Sequence, residues 1–104
     1  LRSEYQFHPE ASLDVDEIWE FIARDSPDSA DRVVSEIEDA LEKALLLPYM
    51  GHLRPDLSSR PLRFLHVREY LIAYAVEEGT LWVIAVLHGR RDPALMTAIL
   101  NYRQ

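Results

Sequence analysis

Residues 86–93 read VLHGRRDP: an apolar run ends in a histidine, a glycine and two adjacent arginines, in a chain whose net charge is −7 at pH 7. Guanidinium groups fork onto carboxylates and phosphates with two parallel hydrogen bonds. Arg90 and Arg91 at a strand end therefore suit the gripping of a protein or nucleic-acid partner, and Gly89 lets the chain turn sharply to present them. With Arg63, Arg68 and His88 they make a candidate partner-binding patch. Arg91 has a second, structural reading as the partner of Asp92 or of a loop carboxylate.

Other chemistries find less support. His8, His52, His66 and His88 are scattered without HxxxH or HExxH spacing, so no metal site is expected. Asp14, Asp16, Glu17 and Glu20 fall on one helix, where a solvated acidic face accounts for them. There is no cysteine, which removes disulfides, zinc–thiolate sites and a cysteine nucleophile. Three glycines form neither a phosphate-cradling loop nor a dinucleotide fingerprint. No cofactor is expected.

The elements that position these residues follow from periodicity. Residues 4–8 alternate and suit an edge strand. From Pro9 onward Ala11, Val15, Ile18, Trp19 and Ile22 keep helical spacing, with acids on the other side. Ser26-Pro27 stops this helix and starts a second, in which Ala30, Val33, Val34, Ile37, Ala40, Leu41, Ala44 and Leu45 keep period until Pro48. The short link predicts an antiparallel helical hairpin, with Ile18, Trp19, Ile22, Val34, Ile37 and Leu41 buried against a sheet. Residues 48–61, PYMGHLRPDLSSRP, read as an ordered surface loop. Strands follow over 62–67, 70–76 and 80–88, then a short helix over 93–100. Ile72, Tyr74 and Val76 should pack on the helices, leaving Leu71, Ala73 and Ala75 on a shallower outer face. The strand over 80–88 is apolar on both sides, so its facing stays open.

The order is thus β-α-α-β-β-β with a short C-terminal helix. The expected fold is α+β: a two-layer sandwich with a wholly antiparallel sheet, strands in the order 1-4-3-2, and the helical hairpin on one face. The 104 residues make one domain, 1–104, sufficient for a core without staples. No apolar run reaches the length of a membrane span, and LRSEYQF carries no apolar signal core, so a cytoplasmic protein with no membrane partner is expected. Charge divides sharply. Residues 1–52 hold four basic and thirteen acidic side chains, whereas residues 53–104 hold seven arginines and five acids. Two surfaces of opposite sign follow if the halves occupy different layers.

Taken in order, FHPEASLDVDEIWEFIARDSPDSADRV, LPYMGHLRPDL, LRFLHVREYLIAYAV and VLHGRRDP resemble the ParE-type toxins of the RelE/ParE superfamily, from bacterial type II toxin–antitoxin modules. The resemblance spans Tyr5 to Asp92. It implies a small cytoplasmic toxin of the plasmid-stabilisation kind, neutralised by a cognate antitoxin whose extended tail wraps it. ParE-type members poison DNA gyrase; RelE-type members cut messenger RNA on the ribosome. The nuclease alternative needs a general base, a general acid and phosphate-gripping cations close together, for which Arg63, His66, His88 and Arg90, with Arg68, Arg91 and Tyr102, are available. RelE-like clefts are rich in lysine, and here the lone lysine, Lys43, lies on the second helix among acids. An acidic chain is also poorly suited to ribosomal RNA. The favoured expectation is a gyrase inhibitor that works by protein contact, without catalytic residues and without sequence-specific nucleic-acid binding. A non-toxic interaction module with the same fold is the third alternative.

Overall fold

The computed structural model describes residues 4–103; residues 1–3 and 104 of the domain assigned to 1–104 lie outside the described residues. The elements are β1 (Glu4–Phe7), α1 (Pro9–Ala23), α2 (Pro27–Leu46), β2 (His52–Leu53), β3 (Arg63–Val67), β4 (Tyr70–Glu77), β5 (Thr80–His88) and α3 (Pro93–Tyr102). Each helix begins with a proline behind a capping side chain. His8 Nδ1 accepts from Glu10 N, Ser26 Oγ from Ser29 N and Asp92 Oδ1 from Ala94 N. The missing proline N–H costs nothing at a first helical position, and each cap satisfies a donor that the helix leaves orphaned.

The sheet order is β1-β5-β4-β3-β2. The four expected strands keep their expected order, and the proline-rich loop adds the two-residue β2 at the far edge. Strand direction differs from expectation: β1 runs parallel to β5, so the sheet is mixed. The reason lies at the β1–α1 junction. β1 stops halfway along β5, at Phe7 opposite Val83, and α1 begins at Pro9 and carries on past the upper half of β5, where Asp14 meets the Val86 amide. α2 then returns past Arg68 to Tyr74, whose hydroxyl donates to Pro48 O and accepts from Gly51 N. The hairpin therefore delivers the chain to the end where β1 began, and β3 starts from there, parallel to β1.

The facing of β5, open in the sequence, is set by a β-bulge. Tyr74 pairs with Val83 and Ala73 with Ala85, which leaves Ile84 as the extra residue. The extra residue flips the side-chain phase. Leu81, Val83 and Val86 thus face the helices, while Ile84, Ala85 and Leu87 face the other side.

Two cores result. The inner one joins Val33, Ile37, Leu41 and Ala44 of α2 to Ile72, Tyr74 and Val83 of the sheet, with Ile18 and Ile22 half-buried at its margin. Trp19 departs from the expected burial: it is exposed, and its indole N–H donates to Asp31 Oδ1 at 2.8 Å. The outer face departs too. Leu71, Ala73 and Ala75 are covered by Met96 and Leu100 of α3 and by Leu57 and Leu62 of the loop. The small alanines leave room for this second layer, so the outer face is a core and not a wet surface.

Beyond the end of β1, the edge of β5 needs other partners for its backbone. Val86 N donates to Asp14 Oδ2 at 2.9 Å, and Ile84 O accepts from Arg103 Nη1 at 3.1 Å. Arg103 and Asp14 in turn bind each other through two bonds, at 2.6 and 3.0 Å. A buried ion pair thus takes over where the neighbouring strand stops, and ties the end of α3 to α1.

Candidate functional site

Pairing of Val67 with Tyr70 and of Tyr70 with His88 brings the β3–β4 turn and the β5–α3 turn to one end of the sheet. Arg68, Glu69, His88, Arg90 and Arg91 gather there. Their states differ. Arg68 sits at φ +53° and forks Nε and Nη2 onto Glu36 of α2, both bonds 2.8 Å. That fork holds the Glu36 carboxyl below its usual range and lifts the Arg68 guanidinium further above its own.

His88 closes β5. Its Nε2 lies 3.1 Å from Glu69 Oε2, its Nδ1 accepts from Arg90 N at 3.1 Å, and its ring stands edge-on to Tyr70. Burial, and next the neighbouring Glu69 charge, push the Tyr70 hydroxyl up from its ordinary value. Arg90 and Arg91 are exposed on the turn. Among the described residues, neither guanidinium has a hydrogen bond or ion pair. Asp92 caps α3 through Oδ1, and no bond joins it to Arg91. Arg91 instead borders a cleft of about 280 Å³ between α1 and the sheet, with Ile18, Phe21, Tyr70 and Val86 as its apolar lining and Asp14, Glu17 and His88 as its polar lining.

Arg63 lies elsewhere. It pairs with Tyr74, four residues along β4 from the partner of His88, or roughly 14 Å at about 3.4 Å per residue. Its Nη1 donates to Tyr49 O and Gly51 O, and its guanidinium stacks 5.0 Å from the Tyr49 ring. It anchors the loop. His66 is exposed on β3 opposite Leu71. The structure therefore groups Arg68, His88, Arg90 and Arg91, and it separates Arg63 from His88 and Arg90. Tyr102 is exposed on α3, and Lys43 borders a groove with Glu36 and Asp39. Among the described residues no three His, Cys, Asp or Glu side chains converge on a metal position, and no helix is long and apolar enough to cross a membrane.

Two contributors escaped the sequence reading. Glu69 gives no sign of its role before the hairpin register is known. Asp14 does: it stands between Ala11 and Ile18 on the apolar stripe of α1, and an acid on that stripe signals a buried carboxylate seeking a cation. Which cation it finds, Arg103, is visible only in the fold.

The pattern of the family described as ParE toxin of type II toxin-antitoxin system, parDE, matches residues 5–93. Toxin ParE1 of Mycobacterium tuberculosis, from either of two strains, is 32% identical over 95 residues, covering 88% of this chain and 95% of its own length. Among solved structures, a chain of the chromosomal ParDE TA system from P. aeruginosa superposes with a TM-score of 0.66 at 19% identity, over 83% of this chain and 94% of that one. At that identity the superposition speaks for the fold.

Proposed function

The chain belongs to the ParE toxin family of type II toxin–antitoxin systems, and from that premise we propose that it inhibits DNA gyrase by protein–protein contact through the arginine turn after β5, and that a cognate antitoxin neutralises it. The observation carrying this reading is the pair Arg90 and Arg91, exposed side by side and without internal partners among the described residues. Two unpaired guanidiniums on a fixed turn are available to a carboxylate-bearing partner at little cost to the fold. Arg68 flanks them, although its fork on Glu36 must be given up before it contributes.

The nuclease alternative draws less support. Acid–base cleavage needs its groups within hydrogen-bond reach of one scissile phosphate, and Arg63 is committed to loop carbonyls away from His88 and Arg90. An antitoxin is supported by large apolar side chains left open at two places, Phe21 on α1, 67% exposed beside the Arg91 cleft, and Leu46 and Tyr49 after α2, 82% and 69% exposed, since exposed apolar surface is what protein contacts bury. The reading places the protein in the cytoplasm with gyrase and the antitoxin, in a role of the plasmid-stabilisation type, without a cofactor.

Induced expression in a bacterial host tests the proposal. Wild type should arrest growth, co-expression of the adjacent small reading frame should relieve the arrest, and the double variant Arg90→Ala/Arg91→Ala should permit growth at equal protein level. Full toxicity of the double variant would remove the arginine turn from the account.

A further inference from the structure

We propose that Glu69 and His88 form a positioning clamp for the arginine turn, so that His88 acts on the partner through the Arg90 backbone and does not touch the partner itself. The inference rests on reading Arg90 and Arg91 as the partner contacts.

Three hydrogen bonds carry it. Gly89 N donates to Glu69 O at 2.7 Å, which staples one turn to the other. His88 Nε2 meets Glu69 Oε2, and His88 Nδ1 receives the Arg90 N–H, each at 3.1 Å. An ionised carboxylate only accepts and a backbone N–H only donates. Together they assign the tautomer: the proton is on Nε2 and the lone pair on Nδ1. The ring cannot pivot freely, because Tyr70 lies edge-on against it with centroids 5.7 Å apart. Gly89 keeps the staple short, since a Cβ at this position would stand 3.1 Å from Glu69 O and press the two turns apart by a few tenths of an ångström. Arg91 N completes the turn by donating to His88 O at 3.0 Å.

The imidazole therefore has to be neutral to hold the turn. A second proton would occupy Nδ1 and expel the Arg90 N–H, while drawing the ring towards Glu69. The charged and titratable groups facing the ring are Glu69 from the β3–β4 turn, Tyr70 from β4, Arg91 from its own turn, and Asp14 and Glu17 of α1 across the cleft. Asp14 is already engaged by Arg103.

Substitutions separate the two ends of the ring. His88→Asn keeps an acceptor near the Nδ1 position and loses the reach to Glu69; His88→Gln keeps a group near Nε2 and loses the acceptor. These two, with Glu69→Ala, Arg90→Ala and Arg90→Ala/Arg91→Ala, are assayed for inhibition of gyrase supercoiling, and amide hydrogen exchange at Arg90 is measured in those that retain it. Arg90→Ala should weaken inhibition by about tenfold or more, as loss of a charge-assisted contact does. His88→Gln and Glu69→Ala should weaken it roughly two- to tenfold, the worth of one hydrogen bond, and should speed Arg90 exchange. His88→Asn, which lacks the Glu69 bond but still accepts the Arg90 N–H, should lose no more than Glu69→Ala does and less than His88→Gln.

Two results overturn the clamp alone: a strong Arg90→Ala effect with wild-type behaviour of His88→Gln and Glu69→Ala, or His88→Asn as weak as His88→Gln. The second would mean that the imidazole itself meets the partner. Full inhibition by Arg90→Ala/Arg91→Ala would instead overturn the underlying reading, and the clamp with it.

Discussion

Removing either member of the Asp14–Arg103 pair should destabilise the fold, and the two removals should be unequal. The side chains are only 13% and 10% exposed, and the carboxylate also receives the Val86 N–H. Arg103→Ala leaves a short, helix-borne, mostly buried carboxylate without its cation and with the Val86 N–H still bound to it. Stranding a buried charge in this way costs about 3–5 kcal/mol. Asp14→Ala strands a long arginine that can swing outward, so the charge escapes its burial penalty. What remains is the orphaned Val86 N–H and the loosened end of α3, about 1–3 kcal/mol. A domain of this size has about 5–15 kcal/mol in total, so Arg103→Ala should lower the melting temperature by roughly 10–20 °C. Urea and thermal unfolding of both single variants and the double variant, followed by circular dichroism, measure this. The double variant should cost less than the two singles combined, with a coupling of about 1–3 kcal/mol. Singles within about 0.5 kcal/mol of wild type and an additive double variant would refute the claim that the pair stands in for a missing strand.

Three further outcomes follow from the packing and the turns. Ile37, 1% exposed beneath the hairpin, should cost about 2–5 kcal/mol as Ile37→Ala because of the cavity it leaves, read as a shift in the urea midpoint without change of slope. Glu78 holds φ +50° ahead of Gly79 at φ +80° in the β4–β5 turn, the conformation that Asn-Gly favours, so Glu78→Asn should raise stability by about 0.5–1 kcal/mol in the same assay. The Glu36 carboxyl, held down by the Arg68 fork, should return to the ordinary glutamate range in Arg68→Ala when followed by NMR. Because its folded value lies below the unfolded one, the pair's support is present above the unfolded value and fades as pH falls through the folded one; the site is exposed, so that support is small and shrinks with added salt.

Local features carried much of the fold. Both long helices, their proline starts, the order of the four main strands and the inward set Ile72, Tyr74 and Val76 follow from 3.6- and 2-residue periods. Three features did not, each for a non-local reason. The direction of β1 depends on where α1 sets off along β5, which no period encodes. The facing of β5 depends on one extra residue, Ile84, in a run apolar on both sides. Covering of the outer face depends on α3 and the 54–62 loop finding the small side chains of Ala73 and Ala75. At the candidate site the sequence singled out the stretch VLHGRRDP, and side-chain partners decide which of the arginines are free. Arg63, grouped with the patch on sequence, holds the loop carbonyls of Tyr49 and Gly51; Arg91, for which Asp92 or a loop carboxylate was the structural alternative, has no such partner among the described residues.

The central claim is that the chain acts on gyrase by contact and without cutting nucleic acid. Its most direct test is a titration of the purified protein into a gyrase supercoiling reaction, run beside a translation reaction in which messenger RNA integrity is followed. Loss of supercoiling or accumulation of cleaved gyrase–DNA complex, reversal by the cognate antitoxin, and intact messenger RNA are expected. Undisturbed supercoiling together with ribosome-dependent messenger RNA cleavage, abolished by Arg63→Ala or His88→Ala, would contradict it.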